Sequence, residues 1–561
     1  MSKVSCFFLT LIILLGVGIG LTPQNALSSV VQQVVVEPPS AQTYFSDFQA
    51  RTIATPLRDE YAIFNRLKSG GQNPNPPRTT SKPAYNLGDQ EVFWVHNLQQ
   101  KNYYQVRASV VAITPHLYMF LDNAYRLNVG ALQRVAQLFE EQVYPTTRQY
   151  FGEEWSPGVD NDPRIVILNT PLQGAAGYFS SEDELLSLLN PRSNEREIFY
   201  VDSRPENTGA YLSLLAHEFQ HMINFRTSPG QEIWLNEGMS VLSQVINGYG
   251  SGGYEGSFFG RVNTTQLNNW TCTGCGTAAH YGAGFVWVQY LEARFGADTV
   301  KNVSNNGQGL VGFNSVDWAL AKTVELNLDH TQFFRDWVVA NYLNRRTADS
   351  KYRYERISQQ VNNVGRLQIG ANQQATVEQY AAQYFRVQGD QNGFVLDFQG
   401  APTARIADTI LPSGSSVWWT NRAENSETHL TREVDLSNVS KATLNFSLWF
   451  DIEAQYDYLY IQASEDGGKT WKVLPAKYSV NAAAGGKVYG AGYSGRSSPS
   501  GTSLADKDDT QAEWVQDSVD LSLYAGKKIR IRFEYLTDEG YTRQGALLDN
   551  IEIPEINWRD D

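Results

Sequence analysis

Hydrophobic and polar positions change texture four times along the chain. Residues 7–21 form one nearly unbroken apolar run. Residues 44–70 have helical spacing, and a loop follows that holds Pro74, Pro76, Pro77 and Pro83. Short alternating runs then predict strands at 91–97, 103–113, 116–121, 164–168, 176–179 and 198–201. Between the third and fourth, residues 129–150 switch to helical period, with Leu132, Val135, Leu138, Phe139 and Val143 on one stripe. From 208 to 346 helical periodicity dominates, interrupted by a Gly-rich loop at 248–260 and a cysteine-bearing loop. Beyond about residue 372, runs rich in Val, Tyr, Phe and Trp recur roughly every ten residues, as sandwich strands do. Strands are expected there at 394–398, 444–450, 458–463 and 529–536. The reading is a signal at 1–28, a leader or linker with a helical segment at 29–84, a first domain at 85–370 and a β-sandwich at 371–561.

Composition adds exclusions. The formal charge is 45 − 59 = −14, so a chain that tracks phosphate backbones is disfavoured and nucleic acid is not an expected partner. The run 7–21 follows Lys3 and precedes the small-residue site Ala26-Leu27-Ser28, which fits a secretory signal cleaved after Ser28. An uncleaved anchor is the competing reading; cleavage leaves an exported chain with no membrane span. Cys6 leaves with the signal. Cys272 and Cys275 remain, and such a pair can be a zinc half-site, a redox motif or a local disulfide. No second cysteine pair completes a four-ligand zinc, and the flanking Thr, Asn and Gly are not a thioredoxin-like context. A loop-pinning disulfide is therefore expected.

The chemistry sits in Ala216-His217-Glu218-Phe219-Gln220-His221. Histidines at i and i+4 lie one helical turn apart and can reach one metal ion, while the adjacent Glu218 suits a general base. At roughly 100° per residue, Leu212, Leu215, Phe219 and Met222 share one face and the two histidines the opposite one. A core histidine pair would share the apolar side. A third histidine six residues on is absent, since Thr227 stands there. Glu237 in Trp234-Leu235-Asn236-Glu237-Gly238 is the expected third ligand, sixteen residues after His221, with Glu232 as its rival. His280 and Tyr281, opening the next helical run, are candidates to stabilise an oxyanion. Tyr281 also shares an apolar stripe with Phe285 and Val288, and His280 could equally be a solvent-facing helix start.

The His, His, Glu pattern resembles the gluzincins. His217-Glu218-Phe-Gln-His221-Met-Ile-Asn followed by Trp-Leu-Asn-Glu237-Gly is similar to the secreted bacterial hyicolysin-type zinc peptidases. Asp160-Asn161-Asp162-Pro-Arg-Ile-Val-Ile-Leu, Ala176-Gly177-Tyr178-Phe179-Ser180 and Asn194-Glu195-Arg196-Glu197-Ile198-Phe199-Tyr200 extend the similarity over roughly 85–345. The resemblance implies an α+β zincin catalytic domain with a mixed sheet, an active-site helix and a helical lower lobe. It also implies Zn2+ as cofactor and a cleft-side edge strand at Ala176, Gly177, Tyr178 and Phe179 that pairs with protein or peptide substrates.

Residues 417–553 resemble the MAM-like sandwich of immune inhibitor A-type metallopeptidases. The resemblance rests on Trp419-Thr420-Asn421-Arg422, Leu430 to Leu436, Asp451-Ile452-Glu453, Asp457 to Ile461 and Leu548-Asp549-Asn550-Ile551. It implies an all-β, jelly-roll-like module, for which cell-surface or matrix attachment and plain stabilisation are equal readings. Asp451, Glu453, Asp457 and Asp549 are candidate Ca2+ ligands, with ordinary surface carboxylates as the alternative; Asp160-Asn161-Asp162 is another candidate, with a plain turn as the alternative. Ser464 to Trp471 fits an Asp-box hairpin turn. The function expected is a secreted zinc endopeptidase. The alternative is an extracellular binding protein whose zincin domain is inactive, and the intact Glu218 counts against it.

Overall fold

A computed structural model describes residues 55–72, 77–262, 264–270, 277–323, 328–389, 394–401, 405–414, 416–482, 488–505, 511–540 and 542–560. The expected signal at 1–28 and the Cys272–Cys275 pair lie outside the described residues.

The first half is built on six strands: β1 (Gln90–Asn97), β2 (Asn102–Ile113), β3 (Leu117–Asp122), β4 (Ile165–Asn169), β5 (Gly177–Phe179) and β6 (Ile198–Val201). They lie in the order β1-β2-β3-β4-β6-β5. The first three are antiparallel, β3, β4 and β6 are parallel, and β5 returns antiparallel to β6 as the edge. Strand β4 is buried at every position, because both faces of the sheet are covered. Ile165 and Ile167 pack under the helices, whereas Val166 and Leu168 join Phe93, Phe120 and Tyr200 on the opposite face.

The helices that matter for the site are α1 (Glu60–Leu67), α2 (Val129–Leu138), α3 (Tyr144–Phe151), α4 (Thr208–Thr227), α5 (Ile233–Ile246), α6 (Tyr254–Phe259) and α7 (Thr277–Phe295). The helix expected over 129–150 is divided by a π-turn at Phe139–Val143. Pro145 follows at the start of α3 and has no N–H to donate. Leu212, Leu215, Phe219 and Met222 of α4 are buried against Leu132, Val135, Met119 and Phe199, as the apolar stripe predicts. None of the described helices is long and apolar enough to cross a membrane.

A short parallel pair, β7 (Gly365–Gln368) and β8 (Phe385–Gln388), follows the helices, and Tyr384 still belongs to the first core. The run 394–398 forms no strand, and Val395 is 95% exposed. Its apolar residues have no sheet neighbour to pair with, so pattern alone misleads there.

The sandwich comprises β9 (Trp418–Trp419), β10 (Glu427–Asp435), β11 (Thr443–Asp451), β12 (Tyr458–Ser464), β13 (Lys472–Val473), β14 (Val515–Asp520), β15 (Lys528–Leu536), β16 (Gly545–Ile553) and β17 (Trp558–Asp560). One antiparallel sheet runs β10-β15-β12-β13, the other β14-β11-β16-β17 with β9 beside β16. Phe446, Leu448 and Phe450 of one sheet meet Leu459, Ile461, Ile531 and Phe533 of the other. Ser464 and Asp466 close the predicted Asp-box turn: Asp466 accepts from the Lys469 and Thr470 amides.

The N-terminal segment binds the halves together. Of the expected helix over 44–70, the described part is α1, capped by Asp59, whose carboxylate accepts from the Tyr61 and Ala62 amides. Tyr61 packs on Val159, Leu186 and Leu189 of the first half, and Ile63, fully buried, packs on Tyr458, Tyr460 and Leu536 of the sandwich. Arg66 pairs with Glu427 at 2.8 Å and Glu534 at 3.0 Å. Farther on, the Thr80 amide donates to Val159 and Lys82 Nζ to the Asn194 carbonyl at 2.7 Å.

Candidate metal centre

Helix α4 carries His217, Glu218 and His221, and α5 carries Glu237 back across it. The imidazoles stand 4.8 Å apart and nearly perpendicular. Glu237 Oε2 lies 3.2 Å from His217 Nε2 and 3.5 Å from His221 Nε2. Among the described residues, these three side chains form a group whose ligand atoms lie within 4.8 Å of one another. Glu237 Oε2 is buried without a satisfying hydrogen bond, and the two imidazole nitrogens converge on it. Two imidazoles and a carboxylate form a donor set that fits zinc and leaves a position open.

The surroundings hold the ligands in that orientation. His221 Nδ1 faces Asn236 Oδ1 at 3.0 Å and Ser240 Oγ at 3.2 Å, which leaves Nε2 to face inward. Ser240 in turn donates to the fully buried Gln220. Burial alone would lower the His221 pKa, but the Glu237 carboxylate outweighs it and raises it to about 9. Burial would raise Glu237, and the two imidazoles pull it well below the usual carboxylate range. Glu218 is 4% exposed, and burial pushes its carboxyl up against the pull of the two histidines.

Edge strand β5 passes directly beside this base. A Cβ on Gly177 would stand 3.1 Å from Glu218 Oε1 and 3.0 Å from the Tyr200 carbonyl, so a side chain there would press on the base and its neighbours by a few tenths of an ångström. Of the expected substrate strand, Gly177 and Phe179 turn to the Glu218 side, and the Phe179 amide donates to its carboxylate. Tyr178 turns away to stack on Tyr200 at 4.3 Å. Ala176 precedes the strand, its carbonyl accepting from the Asp202 amide.

Tyr281 joins the cluster: its hydroxyl donates to Glu237 Oε1 at 3.2 Å, between Tyr254 and Trp270 rings. Its pKa is raised, first by burial and then by Glu237. His280 does not join. Its ring stacks on Trp270 at 5.6 Å, and burial lowers its pKa to about 4. Glu232 is also elsewhere, its Oε2 accepting from Trp234 Nε1 at 2.6 Å. Asn236, Ser240 and Gln220 went unread in the sequence; only the position of Asn236 beside Glu237 signals a role.

The candidate calcium ligands separate. Glu453 and Asp457 come together with Asp538, not with Asp451 or Asp549. Asp451 Oδ1 pairs with Arg496 at 3.0 Å and Arg543 at 2.6 Å, and Asp549 accepts from Ser413. The Arg58 guanidinium supplies positive charge beside Asp457 and Asp538. Asp160 and Asp162 form a turn, engaged by Arg196 and Arg164 respectively.

Residues 400–557 match the family described as Immune inhibitor A-like, MAM domain. Immune inhibitor A of Bacillus thuringiensis subsp. alesti is 33% identical over 159 residues, 27% of this chain and 20% of that protein. The pre-pro-metalloprotease PrtV of Vibrio cholerae is 26% identical over 27% of this chain and 14% of its own length. Neutral metalloprotease ShpI of Staphylococcus hyicus is 26% identical over 29% of this chain and 42% of its own length. The chain thus spans less than half of each of these relatives. A solved M1 zinc metallopeptidase from Deinococcus radiodurans aligns with 49% of this chain and 53% of its own at 11% identity and a TM-score of 0.22. The chain carries an Immune inhibitor A-like MAM domain at its C-terminal end and is a distant relative of bacterial metalloproteases.

Proposed function

We propose that the protein is an exported zinc-dependent endopeptidase whose catalytic group is His217, Glu218, His221 and Glu237. The observation that carries this reading is the convergence of the two Nε2 atoms on the unsatisfied Glu237 Oε2, with the buried Glu218 carboxylate alongside. Zinc held there supplies Lewis acidity, acidifying water and polarising a carbonyl.

Each side chain then has a task that its surroundings support. Glu218, with its affinity for protons increased by burial, takes a proton from the attacking water and passes it to the departing amine nitrogen. Tyr281 is the hydroxyl donor placed to turn from Glu237 towards a developing oxyanion. His280, stacked on Trp270, keeps the Tyr281 end of α7 in place. The unpaired edge of β5 receives an extended peptide through backbone hydrogen bonds, which selects for chain conformation more than for sequence. Secretion through the signal at 1–28 and surface attachment by the sandwich belong to the same proposal.

The test is casein cleavage by the purified chain beside Glu218→Gln, with zinc measured in both. Zinc in both and cleavage only in the parent supports the reading. Equal cleavage, or no zinc in either, overturns it.

A further inference from the structure

Among the described residues, the contacts between the sandwich and the candidate active-site half include three that involve Asn425, Arg422 and Glu539. Asn425 Nδ2 donates to the Pro229 carbonyl at 3.0 Å, in the turn that joins α4 to α5. Arg422 Nη1 donates to Asn269 at 3.1 Å, next to the Trp270 that flanks Tyr281. The third contact is the most directed. Glu539, in the loop between β15 and β16, accepts from the Ser181 amide with Oε1 at 3.1 Å and from the Ser181 hydroxyl with Oε2.

Ser181 opens the 3-10 turn Ser181–Glu184 and stands two residues after the end of β5. That strand is only three residues long and, among the described residues, pairs on one side alone, with β6. So short an element has little to keep it in register by itself. At its start the Asp202 amide holds the Ala176 carbonyl. Two residues past its end, at Ser181, a further anchor comes from the other domain. A carboxylate that takes two donors of one residue fixes both the position and the direction of the chain there.

We propose that Glu539 is a positioning residue for extended peptide substrates: by fixing Ser181, it holds the free edge of β5 in line with Glu218. This rests on the peptidase reading above. The sandwich is then part of the substrate platform, beyond any attachment role.

The experiment compares the full chain with Glu539→Ala and Glu539→Gln. One substrate is a peptide on the order of eight residues, the other an N-blocked dipeptide amide too short to lie along the strand. Glu539→Ala is expected to raise KM for the long peptide about five- to ten-fold, with kcat within about two-fold and the short substrate unaffected. Glu539→Gln, which keeps one acceptor, is expected to recover most of the loss. Equal effects on both substrates, or a change in kcat alone, overturn the proposal. Amide exchange over residues 177–183 gives a readout independent of cleavage. It is expected to accelerate at least about ten-fold in Glu539→Ala and to stay near the parent in Glu539→Gln. Unchanged exchange overturns the positioning role. A parent that cleaves neither substrate overturns the peptidase reading instead.

Discussion

Gly238 of α5 lies directly against Gly284 of α7. A Cβ on Gly238 would stand 2.6 Å from the Gly284 carbonyl, and one on Gly284 would stand 2.3 Å from the Trp234 carbonyl. This approach lets the Tyr281 hydroxyl reach Glu237. Either Gly→Ala change must push the helices apart. Each is expected to cost about 1–3 kcal/mol in urea unfolding and to lower peptidase activity. Gly209→Ala, in α4 with nothing within 4 Å, is the control and should be neutral or stabilising by about 0.5–1 kcal/mol.

Removing only the Tyr281 hydroxyl separates two roles. Tyr281→Phe is expected to reduce kcat about 10²- to 10³-fold with zinc content and KM nearly unchanged, as loss of an oxyanion donor does. Loss of zinc in place of kcat would make Tyr281 a support for Glu237 alone.

Ile63 is fully buried between Tyr458, Tyr460 and Leu536. Ile63→Ala should leave a cavity and destabilise the sandwich by about 2–5 kcal/mol. Denaturant unfolding followed by sandwich tryptophan fluorescence measures this. A loss below about 0.5 kcal/mol would mean that α1 contributes little to the sandwich.

Asp183 predicts a pH dependence. Burial pushes its carboxyl up to about 7, although Tyr200 and Asn194 donate to it. Unfolded, the same group titrates near about 4. Because the folded value is the higher one, the folded state keeps a proton that the unfolded chain has released. Its stabilising contribution is complete below about pH 4 and is lost as pH rises through about 7. In Asp183→Asn the amide oxygen can face the Asn194 donors and its nitrogen the Tyr200 hydroxyl, which then donates to the Trp94 carbonyl. The variant is expected to show a flatter fall in urea midpoint between about pH 4 and 7. An identical slope in both proteins would remove Asp183 as the cause.

What could be read from the sequence was what depends on local spacing. His217 and His221 announce themselves by one turn of helix, and Glu237 by a second helix at loop distance; α4 and α5 bring the three side chains together. Strand β4 was legible because a continuous apolar run fits a sheet covered on both faces. The contact of Tyr281 with Glu237 was not, since it depends on two glycines in different helices. The acidic group Glu453–Asp457–Asp538 escaped because its third member comes from beyond β15 and its counter-charge, Arg58, from the far end of the chain. Residues 394–398 misled because alternation marks strands only where another strand is available.

The segment around α1 bears on how such a protein can be recombined. A crossover near residues 370–400 looks like a clean joint between two cassettes. It would nevertheless leave Ile63 and Arg66 facing a foreign sheet, deprived of Tyr458, Leu536, Glu427 and Glu534. A transplanted sandwich needs its own matching stretch of 55–72 to travel with it, so the heritable unit is discontinuous: two stretches of sequence, on either side of the candidate active-site half, that have to be exchanged together.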